Sequence, residues 1–334
     1  MMTGLYISTV PASYRADLRE DLRSHLNCMI MHYDDSPMFR KCFGLVYARN
    51  LKRLFRTVRP DVVFTSEFSP VTVQSLLERR KNGFKVVAFC DDSLDMIAGH
   101  DFGWKHRLAR HIIPRYVDEI IVHSPCIRDW YQHRFGKGIL MPIIGDERRV
   151  RPELERVMPL SGRLCPGEKP IVAFVGRLVG LKNIPTLIRA FEPLKEQAQL
   201  VIIGDGPDRT ALEAMAPHAL FTGKLSGDDL LAWYNLIDVL VLPSTQEAYG
   251  AVTGEALMAG AKVVVSRKAG SADLVREGEN GFVVDPMDAA AITDRIERLL
   301  DTVPSGRPIA LRENLLPYRF ESCIRNLLEE INAL

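Results

Sequence analysis

Long apolar runs and paired cysteines are both missing from this sequence. No stretch approaches the roughly 18 uninterrupted apolar residues of a membrane-spanning helix. The six cysteines are scattered and none forms a Cys-x-x-Cys pair, so we expect reduced thiols and neither a disulfide scaffold nor a structural zinc site. Met1–Val10 has no basic stretch leading into a long apolar core, so we predict no signal peptide and a cytoplasmic location.

Net charge is also nearly absent, at +1, which argues against bulk nucleic-acid binding. That small total hides an asymmetry. The first 160 residues carry 25 lysines and arginines against 19 acidic residues, whereas the remainder carries 18 against 23. Such a division favours two domains with different partners, of which the basic one faces something anionic.

What is present is the composition of a globular protein, with 47% hydrophobic and 25% charged residues in a chain of 334. That length indicates about two domains. Short β-branched runs alternate with stretches of helical periodicity, and this alternation predicts βαβ units and parallel sheets. The predicted strands are Leu5–Val10, Met29–His32, Asp61–Thr65, Lys85–Phe89, Glu119–Val122, Gly138–Pro142, Ile171–Val175, Gln199–Ile203, Ala219–Thr222, Val239–Leu242, Lys262–Ser266 and Gly281–Val284.

The predicted fold class is therefore α/β, with two doubly wound domains, and a single large sheet is the alternative. A weakly patterned, proline-bearing stretch at 148–169 indicates the boundary. We predict an N-terminal domain at 1–155 and a C-terminal domain at 156–312. A closing helix within 313–334 is expected to pack back toward the first domain.

Two glycine-containing turns follow predicted strands in the second half. Gly176 and Arg177 come directly after one strand, with Lys182 five residues beyond the arginine. Glycine lets backbone approach a ligand, and an arginine fork with a lysine charge suits phosphate. Gly204 and Gly206 follow the next strand and precede a helix, which can hold phosphate at its N-terminus. Solvated cations and a tight turn are the alternatives, since the third glycine of a dinucleotide fingerprint is absent.

Two glutamates flank a loop of small residues after the strand Val239–Leu242. Glu247 and Glu255 stand eight positions apart, and the second begins a predicted helix. Carboxylates accept hydrogen bonds from the paired hydroxyls of a ribose or hexose, and amides at a helix start can meet a diphosphate. The alternatives are helix capping for Glu255 and an ordinary surface acid for Glu247.

The order of the motifs is more informative than any one of them. In sequence they read Gly-Arg-Leu with a following lysine, Gly-Asp-Gly-Pro, Thr-Gly-Lys-Leu-Ser, Glu-x7-Glu and Asn-Gly-Phe-Val-Val. This series, over about residues 171–300, resembles the C-terminal domain of family 4 retaining glycosyltransferases of the GT-B fold. In the first half, Val117–Ser124 resembles that family's last strands before the linker. The resemblance implies two Rossmann-like domains facing each other across a cleft.

The same resemblance implies a donor site in the second domain for a nucleotide diphosphate sugar, which is a co-substrate, with no cofactor and no metal. Arg177 and Lys182 would neutralise the diphosphate, Glu247 would contact the transferred sugar, and these three are the candidate catalytic residues. Glu255 would accept hydrogen bonds from the ribose. The other candidate donor-binding residues are Gly176, Gly204, Gly206, Lys224, Leu225, Tyr249, Gly250, Ala251, Val252 and Thr253.

The first domain departs from the family pattern in two places. The family's first loop is usually glycine-rich, whereas Pro-Ala-Ser-Tyr-Arg follows Val10 here. The family often has a histidine after the fourth strand, near the transferred sugar, where this chain has Asp91 and Asp92. Either aspartate is a candidate acceptor-side residue, and so is His100. A polar strand-end loop and a solvated histidine are the alternatives.

Cations are concentrated in two segments of the first half. Residues 40–59 hold seven cations and no acid, with apolar residues at roughly helical spacing. They predict a basic amphipathic helix that can dock on an anionic membrane surface at the inner face. A second cluster lies at 105–115. The alternative for both is a helix with its apolar face in the core and a solvated cationic face.

Together these features predict a retaining, metal-independent glycosyltransferase that uses same-face attack. It would move a sugar from a nucleotide diphosphate sugar to a glycan or lipid-linked glycan acceptor. A non-catalytic or degenerate sugar-nucleotide-binding protein is one alternative, and a sugar-nucleotide 2-epimerase is another. A nicotinamide-dependent oxidoreductase would need its glycine fingerprint after the first strand, where Val10 and Pro11 stand.

Overall fold

The computed structural model describes residues 2–9, 15–32, 38–42, 45–93, 97, 104–164, 169–304 and 310–334. The chain forms two compact units, of which unit 1 comprises Met1–Ile143 with Glu321–Leu334 and unit 2 comprises Ile144–Phe320. Within the described residues, no helix is both long enough and apolar enough to cross a bilayer.

Unit 1 is built on a six-stranded parallel sheet. The strands of the unit are β1 Gly4–Ser8, β2 Met29–His32, β3 Phe39–Cys42, β4 Leu45–Ala48, β5 Val62–Ser66, β6 Lys85–Cys90, β7 Glu119–Val122 and β8 Ile139–Leu140, and its helices before β8 are α1 Ala16–His25, α2 Leu51–Val58, α3 Pro70–Asn82, α4 Trp104–Ile112 and α5 Pro125–Phe135. The order of strands in the parallel sheet is β2-β1-β5-β6-β7-β8. Strand β5 is buried along its whole length, as expected for a parallel strand that is covered on both faces.

Unit 2 contains a second six-stranded parallel sheet. The elements of the unit are α6 Glu147–Leu164, β9 Ile171–Val175, α7 Ile184–Phe191, β10 Gln199–Ile203, α8 Arg209–Met215, β11 Leu220–Gly223, α9 Gly227–Leu236, β12 Val239–Leu242, α10 Val252–Met258, β13 Lys262–Ser266, β14 Gly281–Val284 and α11 Ala289–Leu300. The order of strands in the sheet is β11-β10-β9-β12-β13-β14. The chain runs outward from β9 to β11 and then returns to the other side of β9 to build β12 to β14.

The fold class is confirmed, because both units are doubly wound and parallel, and the single-sheet alternative is wrong. All six strands predicted in the second half are found, five of them with the predicted bounds. In the first half, β8 is reduced to Ile139–Leu140, whereas five residues were predicted. The last helix, α12 (Phe320–Asn332), is shorter than the predicted closing segment, and its residues from Glu321 belong to unit 1.

The proline-bearing stretch predicted as the domain boundary is instead helix α6, so the division falls at Ile143 and not at residue 155. Both prolines of its middle, Pro152 and Pro159, lie inside the helix. Leu154, Val157 and Ser161 form its buried face. The hydroxyl of Ser161 donates to a carbonyl oxygen of α9 at 2.8 Å. Packing against α9 therefore offsets the cost of a helix-interior proline.

The basic segment 40–59 is not one helix, which corrects the sequence prediction. β3 and β4 form an antiparallel hairpin, and only the last part of the segment is helical, as α2. Asn50, with φ of 60°, turns the chain between the hairpin and the helix. The apolar side of α2, Leu51 and Phe55, is buried in the core of unit 1. The cations remain exposed, so the segment follows the alternative of a core-facing apolar side and a solvated cationic side.

Candidate functional site

The carboxyl ends of β9 and β12 define the candidate site in unit 2. These two strands are neighbours, and the chain changes direction across the sheet between them. In open α/β sheets such a switch point leaves a crevice beyond the strand ends where ligands bind. The residues at 176–182 follow β9 and those at 243–255 follow β12, so the fold brings the two principal motifs to the same edge.

Lys182 and Glu247 form an ion pair, although 65 positions separate them in the chain. Lys182 ends the short 3-10 turn Gly180–Lys182, and both side chains are mostly buried, at 20% and 15% exposure. The hydroxyl of Ser244 donates to the same carboxylate at 3.4 Å. A backbone bond from Thr245 to Leu181, at 2.9 Å, ties the two loops together. An anionic ligand at Lys182 would therefore meet Glu247 as well.

Arg177 differs from Lys182 in its surroundings. It lies two residues after the end of β9 and is exposed. Across the residues that the structure describes, it has neither an ion pair nor a side-chain hydrogen bond. Its guanidinium is therefore available to a phosphate without displacing the carboxylate of a described residue.

The glycines after β9 and β10 have a packing role, while their close approach to a ligand stays a prediction. A Cβ on Gly204 would lie 1.8 Å from the carbonyl oxygen of Gly176, and one on Gly206 would lie 2.3 Å from that of Leu178. Backbone hydrogen bonds of 2.9 and 3.0 Å join the same two turns. Their closeness requires residues without side chains, whether or not a ligand binds.

Glu255 lies in the first turn of α10 and is reached by solvent. One carboxylate oxygen, Oε2, accepts a hydrogen bond from the buried hydroxyl of Tyr234 on α9. Desolvation by the surrounding protein raises the pKa of the carboxyl, and the bond from Tyr234 opposes that rise. Tyr234 thus orients a carboxylate whose other oxygen accepts no hydrogen bond from another side chain in the described part of the chain.

Buried contacts fix the conformation of the loop before α10. Gly250, with φ of 93°, has no room for a Cβ, which would lie 2.5 Å from a methyl carbon of Leu242. The hydroxyls of Thr253 and Ser271 are 2.9 Å apart, and both are buried. The amide of Thr253 donates to the carbonyl of Gly250 at 3.1 Å, so its predicted use for a ligand is not supported.

The remaining predicted donor residues are spread over the same edge. Tyr249 is buried, and its carbonyl accepts from the amide of Ser271 at 2.9 Å. Ala251 and Val252 are half-buried at the start of α10. Lys224 is exposed and Leu225 half-buried, both directly after β11.

A second polar cluster lies at the carboxyl ends of β5 and β6 in unit 1. Asp91 pairs with the buried Arg15 at the start of α1. Asp92 is fully buried and accepts from Arg110 Nε at 2.7 Å and from the hydroxyl of Tyr131 at 2.7 Å. Both aspartates are therefore held by protein partners, which favours the structural alternative for them. His100 lies outside the described residues.

Glu67 belongs to this cluster and was missed from the sequence. It has a positive φ of 56° directly after β5, and its Oε1 accepts from the amide of Asp91 at 3.0 Å. Burial, together with the nearby charges of Asp92 and Asp91, raises its pKa to about 8. The sequence signal is a single acid at a strand end, which does not distinguish it from a surface residue.

Glu67, Cys90 and Asp92 each place a donor atom within 4.8 Å of the other two. Such a set can in principle hold a cation. Here Arg110 already forms an ion pair with Asp92, and its positive charge disfavours a second cation in the same place.

The raised pKa of Glu67 predicts a pH-dependent stability. An unfolded glutamate releases its proton near 4.5, whereas the folded one keeps it to about 8, so the native state binds more protons across that interval. The free energy of unfolding should therefore fall as pH rises through this window, and Glu67→Gln should flatten the fall. Urea unfolding at several pH values tests this, with the exposed Glu20→Gln as control. Parallel pH profiles for wild type and Glu67→Gln would contradict it.

Comparisons with known proteins show a family match in unit 2 and relatives that cover most of the chain. Residues 169–302 match the family model "Glycosyl transferases group 1". A GDP-mannose-dependent alpha-mannosyltransferase of Mycolicibacterium smegmatis is 38% identical over 271 residues, which is 76% of this chain and 69% of that protein. A GDP-mannose-dependent alpha-(1-6)-phosphatidylinositol monomannoside mannosyltransferase of the same organism is 28% identical over 276 residues, covering 76% and 70%.

Solved structures show the same fold at low sequence identity. The crystal structure of Anabaena HepE in complex with UDP superposes with a TM-score of 0.76 at 16% identity and covers 100% of both chains. The apo form of the lipopolysaccharide outer core galactosyltransferase WaaB superposes with a TM-score of 0.73 at 17% identity and covers 99% of both.

Proposed function

The chain belongs to the group 1 glycosyl transferases, has the GT-B fold and is a hexosyltransferase-type enzyme, and we propose that it transfers mannose from GDP-mannose. The choice of donor is supported by the 38% identical relative, whose name specifies GDP-mannose. The placement of the donor is supported by the convergence of Arg177, Lys182, Glu247 and Glu255 at the β9–β12 switch point.

The proposed reaction retains the anomeric configuration and needs no metal. As the bond between the sugar and the diphosphate breaks, negative charge develops on the leaving phosphate, and fixed cations stabilise it most at that moment. Arg177 and Lys182 supply those charges. The acceptor hydroxyl attacks from the face that the phosphate leaves, and a phosphate oxygen takes its proton.

Glu247 has a positioning role in this proposal. Its carboxylate is held by Lys182 and by the hydroxyl of Ser244, so it is oriented before the substrate arrives. A carboxylate that is already oriented can accept hydrogen bonds from the sugar hydroxyls and so position the sugar. The pairing with Lys182 also argues against a double-displacement role, because a carboxylate held by an ammonium is a weaker nucleophile.

The proposed acceptor is a glycan or lipid-linked glycan. A lipid-linked acceptor would require the enzyme to approach an anionic membrane surface. The exposed cations of 40–59 support such an approach by charge alone, since the apolar side of α2 is buried in the core.

Calorimetry without added metal tests the donor assignment. GDP and GDP-mannose are compared with UDP and UDP-glucose on the wild type and on Glu255→Gln. We expect selective binding of the guanosine ligands, weakened about tenfold to 100-fold by Glu255→Gln, because the amide cannot accept as a charged group does. Glu279→Gln, an exposed acid of unit 2, is the matched control.

Selective binding of the uridine ligands would overturn the choice of donor but would leave the proposed position of the donor site in place. Binding of GDP-mannose that Glu255→Gln leaves unchanged would overturn the placement of the ribose. Binding of GDP-mannose without transfer to any acceptor and without slow hydrolysis would instead indicate a sugar-nucleotide-binding protein.

A further inference from the structure

Helix α4 exposes large apolar side chains to solvent and buries an arginine in the core. Within Trp104–Ile112, all of which the structure describes, Arg110 is the one buried side chain. Trp104, Leu108 and Ile112 are 65%, 49% and 42% exposed. They stand four residues apart, so they line one face of the helix, and Tyr116, at 56%, continues the series beyond it. A helix of a globular domain normally has the opposite arrangement.

The orientation of α4 is fixed by the contact of Arg110 with Asp92. The guanidinium donates from Nε and Nη2 to one oxygen of this fully buried carboxylate. Rotating α4 to bury Trp104 and Leu108 would pull Arg110 away and leave the buried carboxylate of Asp92 without its cation. The cost of that loss is at least comparable with the gain from burying these two partly exposed side chains. The exposed face is therefore a stable feature of unit 1.

The surroundings of this face are positively charged. Lys105, Arg107 and Arg115 are all exposed, and no acid occurs between residues 104 and 117. A surface that complements both the exposed apolar side chains and the surrounding cations must carry negative charge at its face and apolar groups just below it. A second copy of the same face would bring like charges together, which argues against self-association.

We propose that α4 and the turn to Tyr116, here called the α4 face, dock the protein on an anionic lipid bilayer. The cations face the lipid phosphates, while Trp104, Leu108 and Ile112 enter the boundary between headgroups and acyl chains. A tryptophan suits that boundary because its ring is apolar and its N–H is polar. The exposed cations of the β3–β4 hairpin and α2, in the same unit, add attraction without insertion.

Co-sedimentation with vesicles tests the apolar contribution. The vesicles contain about one part phosphatidylglycerol to three parts phosphatidylcholine. Trp104→Ser combined with Leu108→Ser should weaken the partition of the full chain by more than about tenfold, since two large apolar side chains no longer enter the membrane. Leu77→Ser is the matched control, because Leu77 is 72% exposed on α3 of the same unit. It should leave binding within about twofold.

A second vesicle experiment tests the contribution of the cations to binding. Lys105→Glu combined with Arg107→Glu should weaken binding to the same vesicles by more than about tenfold, because each cation near an anionic surface contributes roughly fivefold. Charge reversal of Arg298, an exposed arginine of α11 in unit 2, is the control. Vesicles of phosphatidylcholine alone should bind poorly whichever protein is used.

Tryptophan fluorescence reports insertion directly. Trp104 is exposed, whereas Trp233 is 4% exposed and Trp130 is partly buried. A blue shift and quenching by brominated lipid are expected on anionic vesicles, and both should be lost in Trp104→Phe while binding is largely kept. These readouts need neither donor nor acceptor, so they stand apart from the proposed reaction.

Several results would overturn the proposal. One is vesicle binding that is unchanged in both double variants. Another is a Trp104 emission that vesicles do not shift. A third is a concentration-dependent dimer, seen by sedimentation, that the serine double variant abolishes without affecting vesicle binding, which would assign the α4 face to self-association.

Discussion

Arg177→Ala should lower kcat by about 100-fold to 1000-fold while the chain keeps its wild-type stability. The residue is exposed at the carboxyl end of β9, so its removal leaves no cavity. Lys182 is paired with Glu247 within the described residues, whereas Arg177 is not engaged by a carboxylate there. Arg177 therefore provides the less compensated positive charge at the place where the leaving diphosphate is expected.

The measurement is steady-state transfer from GDP-mannose, with donor binding determined separately by calorimetry. A loss concentrated in kcat indicates that the guanidinium acts in the transition state, whereas a loss confined to KM indicates ground-state binding. Arg177→Lys should recover only part of the rate, because an ammonium lacks the planar fork. Arg298→Ala, on the surface of α11, is the control. Turnover by Arg177→Ala within about threefold of wild type would remove Arg177 from the mechanism.

The strands were predictable because each is a buried apolar run bounded by turn residues. Five strands of unit 2 have their predicted bounds. The predictions that were wrong rested on local sequence signals that tertiary packing overrides. Pro152 and Pro159 indicated a linker, yet they lie inside α6 because its other face packs on α9. In the same way, the spacing of apolar residues over 40–59 suggested one helix where the chain forms a hairpin and a shorter helix.

The candidate site shows the same division between local and long-range information. Glu255 follows from its position at a helix start, but its orientation by Tyr234 does not, since that residue is 21 positions away on another helix. The pair of Lys182 with Glu247 depends on β9 and β12 being neighbours. The glycines after β9 and β10 were predicted from their positions at strand ends, but their mutual packing was not, because it depends on the two turns lying side by side.

Asp92 presents the clearest choice between a catalytic and a structural role. Its side chain is fully buried, Arg110 is nearly so, and the hydroxyl of Tyr131 donates to the second carboxylate oxygen. Asp92→Ala should lower the free energy of unfolding of unit 1 by about 3 to 5 kcal/mol, because it removes the buried carboxylate to which the guanidinium of Arg110 and the hydroxyl of Tyr131 both donate. The exposed Asp129→Ala should change it by less than about 1 kcal/mol.

Urea unfolding followed by tryptophan fluorescence in a Trp233→Phe background measures this, because the remaining tryptophans, Trp104 and Trp130, both lie in unit 1. Adding Arg110→Met to Asp92→Ala should recover much of the loss, since the unpaired charge is removed with its partner. A loss of that size with recovery in the double variant assigns Asp92 to anchoring α4. If Asp92→Ala unfolds like wild type yet loses turnover, the aspartate acts on the substrate and the anchoring role is wrong.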